Sequence, residues 1–163
     1  MKSLSLISLF CTLVTAAVIP RETVFDGHCC FTLHDVASGA TVQENGNGNL
    51  LLNAGATPGF FCIDTSSSQP ALRDSAFNSC FMNSSGEIKC IDPTPAFDSW
   101  KLKKSGSNTL LHRDDESTFN SCTKTSTSAK GTVLFSGPKH TGASKCNKVT
   151  LKAKNLKGTC KNF

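Results

Sequence analysis

Short runs of alternating apolar and polar residues recur along most of the chain and predict β-strands. The alternation is clearest over 87–92, 99–103 and 148–154, where apolar side chains occupy every second position. A period of two places successive side chains on opposite faces of a sheet. The runs recur at spacings of about 8–12 residues, separated by Gly, Asn, Ser and Pro, which is typical of all-β sandwiches and barrels. The remaining predicted strands cover 31–33, 48–53, 59–64, 109–112 and 132–135.

Helix signals are poor by comparison. No window carries a sustained apolar stripe at i, i+3, i+4 and i+7, and the best candidate, 71–76, is too short. Turn signals are strong where Asn or Ser precedes Gly and where Lys precedes Gly. The predicted turns are Asn45-Gly46, Asn47-Gly48, Ser85-Gly86 and Lys157-Gly158. The chain is therefore predicted to be an all-β protein.

The segment 148–154 (K-V-T-L-K-A-K) is the clearest single strand. Its apolar residues fall on one face and its lysines on the other, so the sequence predicts a half-buried strand with a basic outer side. Lysines of this kind also protect an exposed sheet edge from pairing with another chain, and we expect this strand to lie at an edge.

The hexapeptide S-A-F-N-S-C (75–80) is repeated almost unchanged as S-T-F-N-S-C (117–122), 42 positions later. It lacks the ligand spacing of a zinc site and the base and turn of a nucleophile. We interpret it as a structural repeat, in which Phe enters the core, Asn and Ser form a turn and Cys cross-links the next strand. The offset favours a β-trefoil, but no third copy is found, so an irregular β-sandwich or barrel remains the alternative.

The first 17 residues (M-K-S-L-S-L-I-S-L-F-C-T-L-V-T-A-A) read as a secretory signal peptide. A lysine precedes an apolar core too short to span a bilayer, and small residues follow it. The sequence therefore predicts a single secreted, cysteine-rich domain over 18–163, an extracellular location and no transmembrane segment.

Eight of the nine cysteines lie outside the signal, and an even number in a secreted chain predicts a disulfide framework. Spacing alone does not choose among the 105 pairings. The adjacent Cys29 and Cys30 are expected to have different partners. The predicted disulfide set is Cys29, Cys30, Cys62, Cys80, Cys90, Cys122, Cys146 and Cys160.

The net charge of +5 is unevenly distributed. Residues 18–100 hold three basic and nine acidic residues, whereas residues 101–163 hold thirteen basic and three acidic ones. The basic part indicates either a solvated lysine surface or a surface for polyanions or glycans. Nucleic acid is not an expected partner, because few aromatic residues accompany the basic run. The candidate surface residues are Lys145, Lys148, Lys152, Lys154 and Lys157.

The sequence carries no recognisable catalytic, metal or cofactor motif, so we predict no enzyme activity, no metal and no cofactor. Carboxylates that pair only in the folded chain would escape this search, which keeps a secreted hydrolase as an alternative. Asn83 begins a glycosylation sequon, N-S-S, on a predicted turn. Trp100 alternates with Leu102 and is expected in the core rather than on a glycan-binding surface.

The motif layout resembles small secreted cysteine-rich proteins of filamentous ascomycete fungi, in particular phialide-associated cell-wall proteins. The resemblance rests on C-C-F-T-L-H-D-V-A-S-G (29–39), G-N-L-L-L-N (48–53), C-I-D-P-T-P-A-F-D-S-W-K-L (90–102), F-N-S-C, and C-N-K-V-T-L-K-A (146–153) with Cys160 after it. In size and secretion the chain is also similar to fungal elicitors of the plant hypersensitive response.

The resemblance implies a non-enzymatic protein of the fungal cell wall or host apoplast that acts as an elicitor or effector of plant defence. Its expected partner is a plant surface receptor or a fungal wall polysaccharide. A structural module that binds wall glycans and a secreted hydrolase of unrecognised type are the alternatives.

Overall fold

The computed structural model describes residues 22–94, 98–124, 130–161 and 163, and those residues form twelve β-strands and no helix. The predicted signal peptide lies outside the described residues. The strands are β1 Cys29–Asp35, β2 Val42–Glu44, β3 Leu50–Leu52, β4 Phe61–Ile63, β5 Leu72–Arg73, β6 Ser79–Met82, β7 Ile88–Asp92, β8 Trp100–Ser105, β9 Asn108–Arg113, β10 Thr118–Lys124, β11 Thr132–Phe135 and β12 Ala143–Gly158. The all-β prediction is confirmed.

The strands form one open antiparallel sheet in the order β2-β3-β11-β10-β12-β1-β4-β5-β6-β7, and the β8–β9 hairpin joins it where β9 pairs with β12. The first and last strands of the chain are therefore neighbours, with Leu33 opposite Ala153. Between β5 and β8 the sheet is open. A backbone hydrogen bond from Trp100 N to Pro70 O (3.1 Å) crosses this seam.

The hairpins β2–β3, β6–β7 and β10–β11 contact one another in pairs. Strand β3 pairs with β11. Isolated bridges join Asn49 to Lys89 and Glu87 to Phe135, so β7 reaches both other hairpins. Gly48 allows the backbone that leads into β3 to lie against Cys90 of β7, because its φ is 71° and a Cβ there would lie 2.3 Å from Cys90 O. The three hairpins therefore pack together beside the remaining six strands of the open sheet.

The core fills the space enclosed by these strands with large aromatic and aliphatic side chains. Trp100 is fully buried, and its indole Nε1 donates to Cys80 O at 2.9 Å, which satisfies its one polar atom. The prediction that Trp100 belongs to the core is confirmed. The other fully buried aromatic residues in the described part of the chain are Phe31, Phe61, Phe119 and Phe135.

All eight predicted cysteines are paired, in four disulfides. Cys29–Cys160 joins the two ends of the described chain, and the adjacent Cys30 bonds to Cys62 on β4. The other two bonds are Cys80–Cys90, across β6 and β7, and Cys122–Cys146, between β10 and β12. The disulfide-stapled domain and the separate partners of Cys29 and Cys30 are as predicted.

The structure corrects two predictions about β12. Lys157-Gly158 was expected to be a turn, yet both residues belong to β12 and lie opposite Cys30 and Cys29. The strand is also not at an edge, because β1, β9 and β10 all pair with it. The predicted alternation is confirmed: Leu151 and Ala153 are buried and Val149 packs against the core.

The prediction that Phe enters the core in both hexapeptides holds for one copy only. Phe119, in β10, is buried and stacks on Trp100 with ring centroids 6.3 Å apart. Phe77 is 39% exposed and has a φ of 70°, outside any strand. In the first copy the strand begins only at Ser79, so Phe77 belongs to the preceding turn.

Candidate functional site

The strand register brings lysines of two distant segments onto one face of the sheet. In β12, Lys152 lies opposite Leu110 of β9 and His34 of β1. Leu110 in turn lies opposite Lys103 of β8. Residues directly opposite in an antiparallel pair share a face, so Lys103, Leu110, Lys152 and His34 form one row across four strands. We call this outward surface the basic face.

Two further lysines extend the basic face along the strands. Lys101 lies two residues from Lys103 and opposite His112, and Lys154 lies two residues from Lys152 and opposite Thr32. Alternate residues of a strand are about 7 Å apart, and the two β-strand steps from β8 to β12 span about 10 Å. The lysines of the basic face are therefore close enough for one extended ligand to meet several of them.

Only one acidic side chain forms ion pairs with the basic face in the described part of the chain. Asp115 Oδ1 lies 2.7 Å from Lys103 Nζ and 3.6 Å from Lys101 Nζ. The hydrogen bond from Lys103 and the charge of Lys101 lower the pKa of Asp115. Among the described residues, neither Lys152 nor Lys154 has an ion-pair partner. The face therefore has an excess of positive charge.

The candidate lysines predicted from the sequence are divided by the structure. Lys152 and Lys154 belong to the basic face, and Lys148 lines a groove next to it. Lys157 forms an ion pair with Glu22. Lys145 lies near the other end of β12, where the register shifts and its φ is 48°. The basic face therefore contains fewer of the β12 lysines than the sequence predicted.

A groove of about 340 Å³ adjoins the basic face and shares Leu110 with it. Asn108, Lys148, Thr150 and Asp35 also line the groove. Asp35 is almost fully buried; its Oδ2 accepts bonds from the Ser38 amide (2.9 Å) and hydroxyl (2.5 Å).

Asp35 is held in its ionised form. Burial opposes its ionisation, but the bonds from Ser38 outweigh burial and lower the pKa. Its Oδ1 is buried without a hydrogen-bond partner among the described residues. A buried carboxylate oxygen without a partner has unused capacity to accept a hydrogen bond.

A second concavity, of about 500 Å³, contains two carboxyl groups. Glu44 of β2 and Asp74, after β5, both line it, together with Phe60 and Ile91. Burial, the charge of Asp74 and a hydrogen bond with Asp74 raise the pKa of Glu44 to about 8. Glu44 is therefore largely protonated at neutral pH. We call this concavity the acidic cleft.

The acidic cleft gives the hydrolase alternative its most specific site, but its geometry has a structural explanation. Asp74 Oδ1 accepts bonds from the amides of Ala76 (2.9 Å) and Asn78 (2.8 Å), and Oδ2 accepts from Asn78 Nδ2 (2.8 Å). These bonds form the turn that carries Phe77. Carboxyl groups in hydrogen-bond contact are also closer than the roughly 5 Å or more of two-carboxylate glycosidases.

The exposed Phe77 belongs to a small aromatic and cationic cluster. Its ring centroid is 4.7 Å from that of Phe25 and 5.9 Å from that of His28, and the Arg73 guanidinium carbon lies 4.1 Å from it. Arg73 Nη1 also donates to the carbonyl oxygens of Phe77 and Pro93. These contacts stabilise a turn at the surface.

The candidate glycosylation residue Asn83 takes part in the turn between β6 and β7. Its Oδ1 accepts from the amides of Ser85 and Glu87, both at 3.0 Å, and its Nδ2 donates to Glu87 Oε2 at 2.8 Å. Burial opposes ionisation of Glu87, but bonds from Lys124 and Asn83 lower its pKa. The nitrogen that would carry a glycan is thus engaged with a nearly buried carboxylate.

The described residues contain no group of three or more His, Cys, Asp or Glu side chains that could hold a metal ion. They also contain no helix, and so none long and apolar enough to cross a membrane. The fold and the site define the protein as an all-β, disulfide-bonded domain with a basic sheet face. No protein-family model, curated protein or solved structure matches the chain.

Two parts of the site were not predicted from the sequence. Lys101 and Lys103 were interpreted only as residues of an alternating strand, because nothing local links β8 to β12. The juxtaposition of Glu44 and Asp74 depends on hairpin packing. The alternation of β8 was the available signal for Lys101 and Lys103, since it placed them on the polar side of that strand.

Proposed function

We propose that this chain is a secreted, non-enzymatic fungal protein of the cell wall or host apoplast that acts as an elicitor or effector of plant defence. The observation that carries the proposal is the pairing of all eight cysteines. Disulfides form and persist in oxidising compartments outside the cell. Each typically adds about 2–4 kcal/mol to stability, chiefly by restricting the unfolded chain.

The disulfide distribution also suits a protein exposed to extracellular proteases. Proteolysis requires local opening, and segments with few contacts open most readily. One bond joins the two ends of the described chain, and the others hold β4 to β1, β6 to β7 and β10 to β12. An elicitor must remain folded long enough in the apoplast to be perceived, and these cross-links support that.

Infiltration of the purified mature protein into leaves of several plant species tests the proposal. A local cell-death response to the native protein, and none to reduced and alkylated protein, is expected. No response to the native protein in any host would remove the elicitor function.

A structural module that binds wall glycans is the second candidate, favoured by the basic face. Its test is retention of the protein on insoluble chitin and glucan. Retention that disappears when the lysines of the basic face are replaced, without any leaf response, would place this candidate first.

A further inference from the structure

We infer that the basic face and its adjoining groove form a binding site for an acidic polysaccharide, specifically a polymer of uronic acid residues. The inference deepens the proposed function by naming a partner class for an extracellular protein. Its test uses purified components and no plant response, so it can fail while the leaf assay succeeds, and the reverse.

The charge of the basic face selects for an anionic ligand. Lys101, Lys103, Lys152 and Lys154 lie on outward positions of β8 and β12, the two strands that flank β9, and Asp115 pairs only with the two lysines of β8. Exposed lysines attract anions weakly one at a time, and the attraction is screened by salt. A polymer with a carboxylate on each sugar engages several lysines together, so the weak contacts add.

The groove supplies a second, different contact. Asp35 Oδ1 is an ionised, buried acceptor without a partner among the described residues, in a groove that Lys148 also lines. A ligand suited to both groups must carry hydrogen-bond donors as well as negative charge. Sugar hydroxyl groups are donors, and a uronic acid carries them next to its carboxylate.

The polar residues between the lysines also favour a sugar over a nucleic acid. The outward positions flanking them hold Asn108 and His112, whose polar side chains can bond to hydroxyls and carboxylates. None of the residues in these rows is Phe or Trp, whereas single-stranded nucleic acids are bound by stacking bases on aromatic side chains.

A membrane surface is favoured less for a related reason. Peripheral membrane binding combines basic residues with inserted apolar side chains. Leu110 is the one large apolar residue in the rows. The large exposed apolar side chains, Val24, Phe77, Ile91 and Leu156, lie outside them.

The test measures affinity for de-esterified polygalacturonate by affinity electrophoresis and calorimetry at about 150 mM salt. The face variant replaces Lys101, Lys103, Lys152 and Lys154 with Gln. The matched control replaces four exposed lysines elsewhere with Gln: Lys130, Lys139, Lys145 and Lys161. Both variants lose the same charge, and circular dichroism and thermal unfolding check that both remain folded.

We expect the face variant to lose at least about tenfold in affinity and the control to lose less than about threefold. Fully methyl-esterified polygalacturonate, which keeps the hydroxyls but not the charge, should bind at least tenfold more weakly. The inference is overturned if both variants lose affinity equally, if the esterified polymer binds as well, or if native protein does not bind. Tighter binding to phosphatidylglycerol vesicles or to a single-stranded oligonucleotide under the same conditions would also overturn it.

Discussion

The two hexapeptides, which differ at one position in six, have opposite structural roles. In the second copy Phe119 lies inside β10 and packs in the core, whereas in the first copy Phe77 lies on the surface before β6. The residue just before each hexapeptide differs: Asp74 in the first and Glu116 in the second. The shorter Asp side chain accepts the Ala76 and Asn78 amides and forms a tight turn, which forces Phe77 outward. A local repeat therefore does not guarantee equal burial.

The largest expected effect concerns the two phenylalanines. Phe119→Ala should lower the free energy of unfolding by about 3–5 kcal/mol, because it leaves a cavity against Trp100. Phe77→Ala should cost about 1 kcal/mol or less, since Phe77 makes only surface aromatic and cation–π contacts. Urea unfolding of the two variants gives both values, and equal losses would contradict the assignment of one ring to the core and the other to the surface.

The cysteines that end the two hexapeptides differ in access. Both cysteines of the Cys80–Cys90 disulfide are buried, whereas Cys146, the partner of Cys122, is exposed. Limited reduction followed by alkylation and peptide mapping should therefore label Cys122 and Cys146 before Cys80 and Cys90. The loss of either bond is expected to cost about 2–4 kcal/mol. Labelling in the reverse order would show that Cys80–Cys90 is the more accessible of the two.

The two hexapeptide regions are linked through Glu87, which bonds both to Asn83 near the first copy and to Lys124 in the strand of the second. Asn83→Gln should destabilise the protein by about 1–3 kcal/mol, because it leaves the nearly buried Glu87 carboxylate short of a donor. Ser85→Ala is the matched control, since it removes the same glycosylation sequon and retains Asn83.

Thermal unfolding and intact mass of both variants, expressed in a glycosylating host, separate the glycan from the turn. If Ser85→Ala lowers stability as much as Asn83→Gln, the effect belongs to the glycan and the hydrogen bonds of Asn83 contribute little.

A pH dependence is expected at Glu44, which interacts with Asp74, the residue that distinguishes the first copy. Its partner Glu44 has a pKa raised from 4.5 to about 8 in the folded protein, through burial and Asp74. A carboxyl group whose pKa is higher in the folded than in the unfolded state contributes its full stabilisation below the unfolded pKa. This contribution is lost as the pH rises towards the folded pKa, which is about 8 for Glu44. Wild-type protein should therefore lose thermal stability relative to Glu44→Gln between pH 5 and pH 8.5.

A melting-temperature difference between wild type and Glu44→Gln that stays constant with pH would refute the raised pKa of Glu44 in the acidic cleft.

Periodicity allowed most of the fold to be predicted. Eight strands were found where expected, because each contains a local run of apolar residues bounded by turn residues. Strands β2, β5, β6 and β10 were missed. The first two contain only three and two residues. The other two carry the hexapeptides, whose Asn and Ser suggested a turn. The lysines of β12 were predicted as surface candidates from the sequence. The lysines of β8 join the same face only through the long-range register of β9 with β8 and β12.

The account depends most directly on the four disulfides, and on each hexapeptide cysteine bonding to a local partner rather than to the other copy. Peptide mapping of the secreted protein by mass spectrometry under non-reducing conditions should give Cys29–Cys160, Cys30–Cys62, Cys80–Cys90 and Cys122–Cys146. A Cys80–Cys122 peptide, an alkylatable thiol in the native protein or stoichiometric bound zinc would contradict it.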